Sequence, residues 1–252
     1  MIKEFESVPH GQYYKWDIGE KNKQKHRMDF VKAYDHSRVV LKVFADDMES
    51  NDYINSNWVD GYDLPRKFIA TQGPIPSTIN DFWRMIVDTN TGTIVTVTKL
   101  VEKNAINAKN EGEKKFGNIS VTTVKNEKLP DLDIRYYKVK QHENVQDVIH
   151  FHFLGWPAYG IPTHPNQLLQ LIYKVRKSPN ISPLRPIVVL CGLGIGRTGT
   201  FMLLLNMIEM AEKSGTVDIY KYFAKMRTQR MDTVTTLDQY KFVYKSIAHH
   251  VK

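Results

Sequence analysis

Cysteine is all but missing from this sequence of 252 residues: Cys191 is the single one. A lone thiol excludes an internal disulfide and points to a reducing, cytoplasmic setting. Long apolar runs are missing too. No stretch approaches the roughly 20 residues that a helix needs to span a bilayer, and Met1-Ile2-Lys3-Glu4-Phe5 lacks the pattern of a secretory signal. No His/Cys cluster has ligand spacing, so no metal and no other cofactor is expected; His249-His250 reads as a frayed helix end. Repeats, low-complexity tracts and Pro/Gly-rich linkers are absent, so one domain over residues 1–252 is expected, as a monomer. Acidic residues are in deficit, with a net charge of +8, yet the basic residues are spread along the chain without an Arg-rich tail, zinc-finger or homeodomain pattern. A solvated basic surface accounts for them, and no nucleic-acid partner is expected.

What is present is ordinary in bulk, at 42% hydrophobic and 25% charged residues, and specific in pattern. Short β-rich segments alternate with amphipathic ones. Strands are expected at Val39–Val43, Phe68–Gln72, Thr93–Leu100, Ile119–Val124, Asp133–Val139, Val148–Leu154 and Pro186–Leu190. Helices are expected after Ser77, with Ile79, Phe82, Trp83 and Ile86 on one face, and over Pro165–Lys177, Thr200–Lys213, Val217–Arg230 and Thr236–His250. Thr236 and Gln239 have the spacing of a capping box. The segment Asp52–Trp58 reads as polar with turn residues, and Glu102–Gly117 as a loop. The sum is an α/β fold with a mixed, highly twisted sheet between helices.

The chemistry is concentrated between Val188 and Thr200. A buried strand delivers Cys191; four glycines follow within eight residues, and a helix begins. Backbone N–H groups of such a loop converge on a small anion, and the helix dipole favours negative charge there. The cradle comprises Gly192, Leu193, Gly194, Ile195, Gly196, Arg197 and Thr198, with the Arg197 guanidinium forking onto two phosphoryl oxygens. An electropositive loop of this kind activates a cysteine as a nucleophile.

Cys191-x5-Arg197, with the flanking Gly194-Ile195-Gly196-Arg197-Thr198-Gly199, resembles the signature loop of the tyrosine-specific, cysteine-dependent protein tyrosine phosphatases. The likeness runs over residues 20 to 248. Asp52-Tyr53-Ile54-Asn55-Ser56-Asn57, Phe68-Ile69-Ala70-Thr71-Gln72-Gly73-Pro74, Asp81-Phe82-Trp83-Arg84-Met85, His150-Phe151-His152-Phe153 with Trp156-Pro157, and Thr236-Leu237-Asp238-Gln239-Tyr240 all match in order. The chain also resembles the phosphatase paralogues carried by bracoviruses of parasitoid wasps, which implies a host-cell cytoplasm and interference with host signalling. The family resemblance implies a single phosphatase domain that acts on phosphotyrosine proteins without a metal. Cys191 would be the nucleophile and Arg197 the phosphate clamp, with Trp156 and Pro157 as hinge of the mobile acid loop. Glu102 would brace Arg197.

Several positions depart from what the resemblance implies. Ala158 stands where the general acid belongs, and no Asp or Glu occurs from Ile149 to His164; His150, His152 and His164 are the nearby titrating groups. General acid catalysis contributes about 10²–10⁴-fold, so its loss is severe. Thr235 replaces the water-positioning glutamine, although Gln239 remains. Leu190 replaces the histidine before the nucleophile, Leu193 brings bulk to the cradle, and Asn107 replaces a lysine behind the acid. Met28 and Phe30 replace the Tyr and Asp that hold the substrate, beside Tyr159 on the acid loop. The expectation is a catalytically impaired pseudophosphatase that binds or shields phosphotyrosine proteins. Alternatives are a non-catalytic interaction scaffold and a slow hydrolase working through a Cys191 phosphocysteine.

Overall fold

The computed structural model describes residues 1–11, 13–43, 51–98 and 112–251. Nine strands among these residues form one mixed sheet: β1 (Arg38–Val40), β2 (Tyr53–Val59), β3 (Phe68–Gln72), β4 (Thr93–Thr96), β5 (Gly112–Phe116), β6 (Ile119–Leu129), β7 (Leu132–Gln141), β8 (Asn144–Phe153) and β9 (Ile187–Cys191). Their order is β1-β2-β3-β9-β4-β8-β7-β6-β5. The four inner strands β3, β9, β4 and β8 run parallel, and the strands outside them pair antiparallel. The helices are α1 (Ile2–Ser7), α2 (Asp17–Glu20), α3 (Ile79–Asp88), α4 (Pro165–Arg176), α5 (Gly196–Ser214), α6 (Ile219–Gln229) and α7 (Leu237–His250). No helix among the described residues is long and apolar enough to cross a membrane.

The parallel strands are apolar on both faces because both faces are covered, which is why β9 reads as an unbroken hydrophobic run. Ile187, Val189 and Cys191 face the larger core, built with α4, α5 and α7. Val188 and Leu190 face the opposite core, with Phe82, Trp83, Met85 and Ile86 of α3. Leu190 is thus a core residue, its side chain on the sheet face opposite to the thiol. Helix α5 leaves β9 through the glycine loop and is buried nearly all round along its first thirteen residues, so it anchors the loop to the centre of the molecule.

Three elements differ from the sequence-based expectation. Asp52–Trp58 is not a turn: Tyr53–Val59 is strand β2. Its polar residues are buried and satisfied by tertiary partners. Asn55 donates to the Val31 carbonyl at 2.6 Å, Ser56 to Thr71 Oγ1 at 2.6 Å, and Asn57 to Ser37 Oγ at 2.9 Å. The C-terminal part of the expected Glu102–Gly117 loop is edge strand β5, whose exposed Glu and Lys side chains suit an unpaired edge; residues 101–111, with Glu102 and Asn107, lie outside the described residues. Helix α5 begins at Gly196 rather than Thr200, which places Arg197 in its first turn. Glycine is unfavourable in a helix, but here it is required by contact: a Cβ on Gly196 would stand 2.8 Å from Thr235 Oγ1, and one on Gly199 2.5 Å from the Val234 nitrogen.

Candidate functional site

Cys191 ends β9, buried and free, with Gln72 as its partner on β3. The loop beyond it is shaped by where its carbonyls go. The Gly73 N–H donates to the carbonyls of Cys191 at 2.8 Å and Gly192 at 3.0 Å. Arg230 donates to the next two, from Nη2 to the Leu193 carbonyl at 3.1 Å and from Nε to that of Gly194 at 2.6 Å. The described peptide bonds are all trans, so each carbonyl points opposite to the N–H of the following residue. With four successive carbonyls held to one side, the N–H groups of Gly192, Leu193, Gly194 and Ile195 are turned to the other. Successive N–H groups facing one concavity make an anion nest, here continued by the first turn of α5. Gly194 is essential to the turn: its φ is +68°, and an added Cβ would lie 2.1 Å from the Thr71 carbonyl oxygen.

Arg197 spans from this loop to the Trp156–Gly160 segment. Its Nη1 donates to Thr98 Oγ1 at 2.7 Å and its Nη2 to the Ala158 carbonyl at 2.7 Å, while its guanidinium carbon lies 6.0 Å from the Trp156 ring centroid. Trp156 is fully buried and donates to the Gly160 carbonyl at 3.0 Å, closing the segment on itself around Pro157 and Ala158. Ala158 therefore meets Arg197 with its main chain and offers no titrating side chain. Tyr159 beside it is 92% exposed.

His150, His152 and Asp131, the described titrating groups whose partners lie closest to this segment, are engaged elsewhere. His150 and His152 share a sheet face, with ring centroids 5.8 Å apart, and both are buried. Burial holds His150 well below the usual imidazole range and lowers His152 as well, so both are neutral at pH 7. Their Nε2 atoms are committed to Thr96 Oγ1 at 2.8 Å and to the Thr98 carbonyl at 3.0 Å. Asp131, which touches the segment's entry by accepting from the Leu154 N–H at 2.7 Å, turns its carboxylate to Gln167 on α4.

Thr235 and Gln239 come together against Gly196 at the loop's end. Gln239 Oε1 accepts from the Thr235 N–H at 3.0 Å, and Thr235 Oγ1 donates to the Asp232 carbonyl. The capping box is thus half formed: Thr236 accepts from the Gln239 N–H, but the glutamine side chain turns to Thr235. On the other rim, Arg27 donates to the carbonyls of Gly73 and Pro74, and Gln72 clamps the main chain at Lys25 and Arg27. That anchoring sets Met28 and Phe30, 50% and 60% exposed, on the segment bound to the loop's edge. Leu193 rests against a cluster of Val31, Tyr34, Ile195 and Met231, which takes up the bulk that was expected to crowd the cradle. The Thr198 hydroxyl is buried without a hydrogen-bond partner among the described residues. Gly73, Thr98 and Arg230 were not identified from sequence. Gly73 lay in a matching motif as a strand end, and nothing local marks the other two.

Residues 22–249 match the family model described as protein-tyrosine phosphatase. The chain is 38% identical over 252 residues to a tyrosine-protein phosphatase Lar-like of Caenorhabditis elegans, covering 97% of this chain and 11% of that protein. It is 39% identical over 253 residues to receptor-type tyrosine-protein phosphatase F of Danio rerio, covering 97% of this chain and 13% of the relative. It is 38% identical over 259 residues to receptor-type tyrosine-protein phosphatase S of Gallus gallus, covering all of this chain and 17% of the relative. The chain thus spans less than a fifth of the length of these relatives.

Proposed function

This chain belongs to the protein-tyrosine phosphatase family, and we propose that it is a catalytically impaired member that binds and shields phosphotyrosine proteins. The observation that carries the reading is Ala158 on Arg197: the anion-binding half of the site is assembled, and the residue facing it from the acid loop has no proton to give. An acid acts mainly in the transition state, so its loss lowers turnover while ground-state binding persists. The neutral, committed His150 and His152 and the turned-away Asp131 support the same reading. Titration of a phosphotyrosine peptide against wild type and Arg197→Ala tests it. Binding by the wild type and its loss in the variant are expected; equal, negligible affinity in both would refute the proposal.

Exposed Met28 and Phe30 favour a second reading, a scaffold that engages proteins through an apolar rim without using the pocket. Partner capture unchanged by Cys191→Ser and Arg197→Ala but lost on Met28→Ser/Phe30→Ser would select it. A slow hydrolase remains a third, decided by p-nitrophenyl phosphate: a rate above background that disappears in Cys191→Ser establishes it, and its absence removes it.

A further inference from the structure

Arg230 follows α6 and is wholly buried. Besides the carbonyls of Leu193 and Gly194, its Nη1 reaches Asn57 Oδ1 at 2.8 Å and Asn55 Oδ1 at 3.3 Å. All four acceptors are neutral, and no described carboxylate forms an ion pair with this guanidinium. Its neighbour Arg227 is buried as deeply but has Asp232 at 3.8 Å. Burial brings Arg230 down to about 10, which leaves it charged at pH 7, and Cys191 is among the groups that oppose that fall. A buried charge without a counter-charge is strongly disfavoured, whatever its hydrogen bonds. Among the described residues, Tyr53, Cys191 and Tyr34 are the groups whose negative forms would offset this charge, and the loop whose carbonyls Arg230 holds offers a further place, on an anion bound at its far side.

We propose that Arg230 is a second, buried cation of the phosphate site. As a positioning residue it turns two of the four loop N–H groups outward, and its charge is balanced by the anion that those groups bind. The inference rests on the loop being a phosphate cradle, as read above. It adds that the cradle's field comes from beneath as well as from Arg197.

The test is calorimetric titration of inorganic phosphate into wild type, Arg197→Ala, Arg230→Met and Asn57→Asp. Asn57→Asp sets a carboxylate at the position that already meets Nη1, so it neutralises Arg230 and leaves its fork in place. The expected result is that Asn57→Asp, which gives up the amide donation to Ser37 Oγ and the Tyr34 carbonyl and so melts lower, weakens phosphate binding by about tenfold in the folded protein, and that Arg230→Met weakens it at least as much. Phosphate binding equal to wild type in a folded Asn57→Asp protein overturns the proposal. Should that variant not fold, Arg230→Met decides by the same titration, and phosphate affinity equal to wild type in the folded Arg230→Met protein overturns the proposal. Cys191 alkylation by iodoacetamide supplies an independent readout. In Asn57→Asp the pH of half-maximal rate should rise by about 1 pH unit, and an unchanged profile counts against Arg230. If wild type binds no phosphate, the cradle reading fails, and the alkylation profile alone decides whether Arg230 acts on the thiol.

Discussion

The Ala158 main-chain carbonyl accepts a hydrogen bond from Arg197 Nη2 at 2.7 Å. This contact joins the loop after Cys191 to the Trp156–Gly160 segment through that segment's main chain alone. The position of this segment and the chemistry of its side chain are thus separable: Trp156, Gly160 and the carbonyl of residue 158 hold the segment in place whichever side chain residue 158 carries.

Restoring the acid is therefore expected to restore part of the reaction. Ala158→Asp should raise kcat on p-nitrophenyl phosphate and phosphotyrosine peptides by about 10²-fold. It should also add a limb to the pH–rate profile that falls at high pH as the new carboxyl ionises. Adding Thr235→Gln should increase the gain through faster hydrolysis of the phosphocysteine. Steady-state kinetics check this; no gain in either variant would show that the cradle itself is incompetent.

Thr98 holds the other arm of Arg197 through a 2.7 Å hydrogen bond. Thr98→Val removes that anchor and keeps the shape. The expected outcome is phosphopeptide affinity lower by about three- to tenfold, with the unfolding temperature changed little, since Arg197 keeps its Ala158 anchor and only part of the roughly 1.5–3 kcal/mol of a hydrogen bond to a charged group is lost from binding. Isothermal titration and a thermal melt measure the two effects separately.

Gly194 combines a left-handed backbone with a Cβ position inside the Thr71 carbonyl. Gly194→Ala should destabilise the protein by more than about 2 kcal/mol in urea denaturation and abolish phosphate binding. Gly215→Ala, also at φ +68° but with open space around its Cβ, isolates the conformational part and should lose only about 1 kcal/mol.

Stability should fall between neutral and mildly acid pH. His26, His150 and His152 are all held below 6.5 by burial, His26 at about 4. Below pH 6.5 the unfolded chain takes up protons at these positions that the folded protein does not, so stability rises with pH across that window and is lost as pH falls. Chemical denaturation at pH 7.5, 6 and 5 should show a loss on the order of 1 kcal/mol or more per pH unit below 6.5. His150→Asn should flatten the slope. A curve level from 7.5 to 5 would contradict it.

Much of this protein was legible because its signals are local. The apolar run of β9, the glycines and Arg197 are contiguous, and Ala158 follows Trp156-Pro157 in a recognisable segment, so the residues from which the proposed site is built lie in short stretches. β2 was misread because Asn55, Ser56 and Asn57 carry a turn's composition, and only partners at Val31, Thr71 and Ser37 make them strand residues. The start of α5 was placed late because glycine argues against helix until Thr235, Gln239 and Val234 are packed upon it.

By itself the sequence determined the covalent chemistry available: one thiol, one guanidinium six residues on, and no carboxyl group from Ile149 to His164. Tertiary structure decided which way the loop faces. Four carbonyls are pulled to one side by Gly73 and Arg230, residues far from Cys191 along the chain, and a peptide's N–H must then point to the other. No pattern near Cys191 reveals that, because the direction of a peptide plane depends on what binds its oxygen, and those partners come from elsewhere in the fold.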